Sequence, residues 1–563
     1  HVVNELRALV DRQCTPKVHM SNTAYVAYMA VWERIRRSRW FSRAIDSYPL
    51  LYRKNERHLW LKVNREGWLS RFPAAVRMRL EAAGERVNQH GGLVDEDFKI
   101  KGFVKKEKMM KSTASGLTDY APRLISAHSD EYNWFVGPTL WSVGHLVSFI
   151  TKDWEHGGAS WFYTSGHSAV EVSLWLEFAL QTVEACGDAL DPYAAFKLCG
   201  VGDDGIMVVF DARSNTIRII EVDYRRLDGH DTIEVMGPRL SLYNEVIDDF
   251  DVKSAITEMI QKKRITMPKG PKATVTDTVA SGSQDTNFGD FFDCAAVNTY
   301  AVYRALGCLG PRYDSVLAPG YDAPDAKEDL RPAPDRGVFH GPTFTHAYEE
   351  VGMPVELVYH TWDGPDSLLP RLTYCSALFW PVAFNPNPEV LGLRFMSGGL
   401  IDDSAARPWP RFVLGPMPGR ILARLGWDVR PPQNSSTEDD RRFMRSIALG
   451  LRDDVFHVPF AHEYVEKILT LTQEIKANTL PDIPGESHRH HVDRRYEYSA
   501  ADGRTWLFLR QRYGLSVDDL KSYVKALRDV TTLPAIVDNF VVRRLIDVDV
   551  HGIDIDSCRP DPY

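Results

Sequence analysis

The stretch Phe196 to Asp228, FKLCGVGDDGIMVVFDARSNTIRIIEVDYRRLD, restricts the fold more than any other part of the chain. Two apolar, β-branched runs, Ile206 to Phe210 and Ile217 to Val222, flank the polar segment DARSNT, whose composition is that of a hairpin connection. Side chains alternate along a strand, so the register of such a hairpin decides which residues share a face and an end. If Phe210 faces Ile217, the antiparallel ladder sets Asp204 opposite Asp223, with Asp203 in the adjoining tight turn. Three carboxylates then meet at one sheet edge and repel one another. A hard divalent cation relieves that repulsion, and two ions about 3.5–4 Å apart, held by carboxylates and substrate phosphates, clamp an in-line phosphoryl displacement. Taken by itself, a GDD triplet beside a turn also fits plain solubility.

Other segments decide between these readings. Asp223 to His230, DYRRLDGH, resembles motif A of viral RNA-dependent RNA polymerases; Val201 to Gly205, VGDDG, resembles their motif C, and Ser281 to Thr286, SGSQDT, their motif B. Phe103 to Lys108, FVKKEK, and Ala121 to Ile125, APRLI, are similar to the basic motif F. Tyr374 to Phe379, YCSALF, is similar to motif E, and Gly415 to Trp427, GPMPGRILARLGW, to the palm–thumb junction. These polymerases ordinarily run A, B, C. Here C precedes A and B, which resembles the permuted order of permutotetraviruses and, more distantly, birnaviruses. The rearrangement needs only a short loop between neighbouring strands, and DARSNT is one.

The resemblance implies an α+β right-hand fold of fingers, palm and thumb around an antiparallel palm sheet. Its segments would be fingers with motif F at 1–165, palm with motifs C and A at 166–235, a fingers insertion at 236–274, palm with motifs B, D and E at 275–395, and thumb plus C-terminal region at 396–563. It implies replication of a viral RNA genome from NTPs, with two Mg²⁺ or Mn²⁺ ions on the catalytic carboxylates Asp203, Asp204 and Asp223. Lys105 and Arg123 would face the triphosphate, Asp228 would sit near the ribose, and Ser281, Gly282 and Thr286 would shape the loop that checks template and sugar. Where many members carry Asn four residues after the motif B Thr, this chain has Asp290. Asp290 ranks ahead of Asn287 for the sugar contact, because helix spacing puts it on the face of Thr286. Asp228 and Asp290 would then form a carboxylate pair with one raised pKa. The usual Lys of motif D is absent, which leaves His360, at the end of the strand Val355 to His360, as the nearest general-acid candidate against the reading of an ordinary strand-end histidine. Implied partners are RNA template and product, NTPs, and a protein primer or self-nucleotidylation, in a replication complex or virion in the host cytoplasm.

Composition sets looser bounds. A 563-residue chain with 44% hydrophobic residues buries a substantial core and exceeds one ordinary domain. A net charge of −9 argues against RNA binding by overall charge, so local density matters more. Lys99, Lys101, Lys105, Lys106, Lys108 and Lys111 form one basic cluster, and Lys262, Lys263, Arg264, Lys269 and Lys272 a second that fits a solvated face equally well. Seven scattered cysteines without CxxC spacing suit a reducing compartment. No signal peptide is apparent, and His1 at the start suggests a processed or truncated product. Trp134 to Ile150 is interrupted by Pro138 and His145 and reads as a buried helix or strand pair, so no transmembrane segment is expected. Helical periodicity marks Thr23 to Trp40, Ala169 to Cys186 (expected beneath the hairpin sheet), Asn287 to Leu306, Phe344 to Gly352 and Arg411 to Arg430. Ser315 to Gly341 reads as a long loop, and SHRHH at Ser487 to His491 as a solvated one without metal-ligand spacing. The contrasting readings are a non-catalytic RNA-binding scaffold on a polymerase-like fold and a metal-dependent nuclease.

Overall fold

The computed structural model describes the chain apart from residues 1, 56–57, 106–121, 153, 155–157, 188–195, 213, 279–281, 307–338, 386–410, 425–435, 477–496, 501, 534–536, 538 and 554–563. Ser281, Lys106, Lys108, Lys111, Trp427, SHRHH and nearly all of the expected long loop lie outside the described residues. The fold is α+β and divides into two units, one within His1–Lys105, Ala121–Ser165 and Phe178–Trp362, the other within Gly166–Glu177 and Asp363–Tyr563.

In the first unit, β1 (Leu51–Arg53) and β2 (Leu59–Leu61) form a small hairpin. The basic strand β3 (Lys99–Val104) pairs antiparallel with its return β4 (Leu124–Ala127), Phe103 facing Ile125. Next come β5 (Trp161–Tyr163), β6 (Phe196–Val201), β7 (Asp204–Asp211) and β8 (Thr216–Tyr224). The chain then leaves through two helices, Gly237–Val246 and Phe250–Gln261, and adds β9 (Lys263–Thr266) and β10 (Lys272–Val275) to the β3–β4 sheet, with β9 parallel to β3. Finally β11 (Val355–Thr361) joins β8 to give a five-stranded sheet in the order β11-β8-β7-β6-β5. Three of its pairings are antiparallel; the short edge strand β5 lies parallel to β6, a departure from the all-antiparallel expectation.

The core explains the order. Ile206, Met207, Val208 and Val209 are fully buried, as the unbroken apolar run of a central strand requires. The helix Thr286–Ala305, one residue offset from its expected start, buries nearly every side chain from Phe288 onward. Its Phe292 meets Trp32 and Trp161 edge-on at 5.4 Å from each, and Thr299 accepts the Trp161 indole N–H at 2.9 Å. Each such aromatic contributes about 1.5–3 kcal/mol by leaving water, which ties the helix firmly to the sheet. Trp134 to Ile150 lies within one helix, Asp130–Lys152, with Pro138 inside it. Among the described residues, no helix is long and apolar enough to cross a membrane.

In the second unit, β12 (Thr373–Tyr374) and β13 (Ala377–Asn385) are joined by Cys375 and Ser376, both at positive φ (50° and 63°), the conformation that a two-residue hairpin turn demands. β13 also pairs with β14 (Phe412–Pro416) and β15 (Glu497–Ala500). Residues 412–416 are therefore strand, not helix; the helix begins only at Pro418, because Trp380 and its neighbours offer 412–416 a ladder. The helix Ala169–Gly187 forms as expected, but its first half serves this unit: Val170 packs with Val382 and Val413, and Ser173 accepts from the Leu414 N–H. Cys14 and Cys294 are free thiols.

Candidate active site

The hairpin register is the one that the sequence pattern requires. Phe210 lies opposite Ile217, and six steps along the ladder Asp204 lies opposite Asp223. β6 and β7 are joined by Gly202 and Asp203 alone. Gly202 has φ 59°, a value that a side chain would disfavour, so the glycine of VGDDG is what lets the turn close and project Asp203. Residues directly opposite in an antiparallel pair have Cβ atoms about 4.5–5.5 Å apart, which puts the Asp204 and Asp223 carboxyls within reach of one cation.

The electrostatics report the crowding. Asp223 is pushed up to about 6, first by burial, then by the charges of Asp204, Asp203 and Glu356, with Arg225 opposing. Glu356 stands directly opposite Asp223 on β11 and is salt-bridged to Arg225. Nothing in the sequence pattern pointed to this fourth carboxylate, since it depends on β11 joining the hairpin. Among the described residues, no three His, Cys, Asp or Glu side chains are already gathered as a preformed metal cage. The donor set itself suits Mg²⁺ or Mn²⁺: hard oxygen ligands, like-charged and close, one of them raised to about 6 first by burial and then by the others.

The structure brings several further expected residues to this end of the sheet. Lys105 donates its N–H to the Arg123 carbonyl at 2.8 Å, so the two basic residues share the end of the β3–β4 ladder, and the Arg123 charge reaches Asp228. Gly282 (φ 107°) nestles against β4: a Cβ there would sit 2.8 Å from the Ser126 carbonyl oxygen. Thr286 closes the same turn, accepting from the Gly282 N–H at 3.3 Å and donating to the Ser283 carbonyl at 3.0 Å. Asp228 is pushed up to about 6 by burial, while Arg12 and Gln13 hold it down.

One expectation needs correction. His360 does not join the carboxylates: it pairs across to Ile219, four residues along β11 from Glu356, about 13 Å at strand spacing, and its Nε2 lies 2.8 Å from Glu221. The antiparallel register gives Glu356, not His360, the place beside Asp223. Asp228 has its hydrogen bond from Gln13 and its charge partner in Arg12. Burial pushes Asp290 well above the carboxylate range, Arg239 opposes, and Asp231, Asp203 and Asp285 add to the rise. Asn287 is exposed and donates to Ser165 at 3.2 Å. The second basic cluster is also split up, because Lys263 turns inward and Arg264 pairs with Asp95.

Beneath the Ser-Gly loop lies a buried ionic group that sequence reasoning missed. Arg239, 1% exposed, lies 3.2 Å from Asp285, 3.5 Å from Asp231 and 2.7 Å from Asp293. Tyr243 donates to Asp285 at 3.0 Å. Burial pushes Asp293 well above its usual range and Asp231 up to about 6, and the one guanidinium, shared among three carboxylates, offsets only part of that rise. Nearby, Asn298 accepts from the hydroxyls of both Tyr224 and Tyr348 at 2.7 Å, linking β8, the Thr286 helix and the helix Gly341–Glu350. The polar side chains at these positions could have come from any surface helix; only their burial marks them.

His128, at the exit of β4, gives a pH test of the same region. Its ring stacks on Tyr132 at 4.9 Å, neither nitrogen has a hydrogen-bond partner, and burial lowers its pKa to about 4. Between pH 6.5 and 4 the unfolded chain takes up a proton that the folded one refuses, so this residue erodes stability as pH falls through that window. His128→Phe should therefore gain on the wild type as pH drops from 6.5 to 4, by at most about 3 kcal/mol, as read from urea unfolding at stepped pH. A difference independent of pH would contradict it.

Comparison with protein-family models and with curated proteins returned no match.

Proposed function

We propose that this chain is a template-dependent RNA polymerase with permuted palm motifs, adding nucleotides from NTPs by two-metal nucleotidyl transfer in the replication of a viral RNA genome. The observation that carries the reading is the placement of Asp204 opposite Asp223 with Asp203 in the intervening two-residue turn. Bound there, Mg²⁺ or Mn²⁺ ions would neutralise the triphosphate and lower the pKa of the attacking 3′-hydroxyl. The protein's own groups account for the rest. Lys105 and Arg123 meet at the end of one ladder, where a point charge and a planar fork suit phosphate oxygens. Asp228 remains an acceptor for a ribose 2′-hydroxyl above pH ~6, the group by which RNA precursors differ from DNA precursors. Asp290, whose neutral form burial favours, would offer in that form an acid O–H donor in place of the amide N–H of Asn. The partners in this reading are RNA template and product, NTPs and a protein primer or self-nucleotidylation, and the setting is the host cytoplasm.

The test is to supply the purified chain with a homopolymeric RNA template, the complementary labelled NTP and Mg²⁺ or Mn²⁺. Strand growth dependent on template and metal is the expected result. RNA cleavage would favour a nuclease, and binding without either reaction would favour a scaffold.

A further inference from the structure

The N-terminal helix Val2–Gln13 ends against the motif A turn. Arg226 adopts a left-handed conformation (φ 52°), which starts the short helix Leu227–His230 and turns Asp228 toward the N-terminal helix. The two backbones touch: a Cβ on Gly229 would lie 2.4 Å from the Arg12 carbonyl oxygen, so only glycine permits the approach. Gln13, wholly buried, uses both ends of its amide. Its Nε2 donates to the Asp228 carbonyl oxygen and to Asp228 Oδ2, each at 3.4 Å, and its Oε1 accepts from the Thr278 hydroxyl at 3.4 Å. Arg12 adds a charge 3.8 Å from Asp228 Oδ1. Just beyond, Lys17 donates to the carbonyls of Thr276 and Asp277, and at Asp277 φ is 52°. A single segment therefore holds the Asp228 turn and the residues that lead into the Ser-Gly loop.

We propose that Gln13 is a positioning residue for sugar selection, fixing the Asp228 carboxylate in the orientation that reads the ribose, with the Thr278 hydroxyl holding the other end of its amide. The inference rests on the polymerase reading above. A carboxylate free to rotate still attracts the site's cations, but it loses the fixed angle needed to distinguish a 2′-hydroxyl from a hydrogen. Uniform weakening of nucleotide binding would lower catalysis with ribo- and deoxynucleotides alike, whereas loss of an oriented acceptor lowers it only for the former.

Gln13→Met keeps the volume and removes the amide. On one homopolymeric template, the ratio of kcat/KM for ATP to that for 2′-deoxyATP should fall about tenfold, mainly through KM for ATP. Asp228→Asn should lower the ratio at least as far, and the double variant no further. An unchanged ratio, or an equal loss with both nucleotides, overturns the proposal and leaves the polymerase reading standing. A wild-type chain that extends no strand overturns both. Should Gln13→Met fail to fold, Thr278→Val carries the test, with a smaller fall in the same ratio expected and no fall contradicting it.

Discussion

Replacing Asp223 by Asn is expected to reduce strand growth by ~10³-fold or more, equivalent to roughly 4 kcal/mol of transition-state stabilisation, without destabilising the protein. The two effects have opposite signs for one reason. Asp223 is held up to about 6 because burial and the charges of Asp204, Asp203 and Glu356 all disfavour its ionised form. An amide of the same shape removes that repulsion, so unfolding by urea should shift to equal or higher denaturant. The carboxylate's negative charge is what a divalent ion requires, and an amide oxygen supplies far less of it. A variant that lost activity only by unfolding would show both losses together, which the two measurements separate.

The largest effect on stability is expected at Arg239. Arg239→Met retains the packing but leaves Asp231, Asp285 and Asp293 without their cation, all of them buried. Removing one partner from a buried ionic group typically costs 3–5 kcal/mol, whereas a domain's whole stability is about 5–15 kcal/mol, so the variant should unfold at a markedly lower urea concentration. The penalty should depend on pH. Asp293 and Asp231 already have raised pKa values in the folded protein, so the folded state binds more protons than the unfolded one between the ordinary carboxylate range and those raised values, about 6 for Asp231. Without Arg239 those values rise further; the deficit is therefore greatest above the variant's raised values and narrows as pH falls toward the wild-type ones, about 6 for Asp231. A deficit that is small, or constant from pH 5 to 8, would contradict this account of the cluster. Because Asp285 and Ser283 lie at the foot of the Ser-Gly loop, discrimination between nucleotides should suffer before activity is lost.

What could be read in the sequence was local. The alternation and turn composition of Ile206 to Val222 specify a hairpin register, and Asp204 opposite Asp223 follows from it. The pairing of Phe103 to Lys105 with Arg123 to Ile125 is legible in the same way, as is the helix after the Ser-Gly loop. Residues brought in by distant segments were not legible. Glu356 owes its place to β11 joining β8 across more than a hundred residues, and the same register takes His360 away from the carboxylates. Gln13 reaches Asp228 only because Gly229 lets two backbones touch. Arg239, Asp231 and Asp293 look like ordinary surface charges until the core closes over them. The strand at 412–416 was hidden for a related reason: Phe412, Val413 and Leu414 fit a helix as well as a strand until β13 supplies a ladder.

The claim that matters most is that the end of the β7–β8 ribbon holds divalent ions. Mn²⁺ binding followed by electron paramagnetic resonance, with and without NTP, tests it on the wild type and on Asp223→Asn. The account predicts bound Mn²⁺ that tightens with NTP in the wild type and is largely lost in the variant. Equal Mn²⁺ binding by both proteins would contradict it.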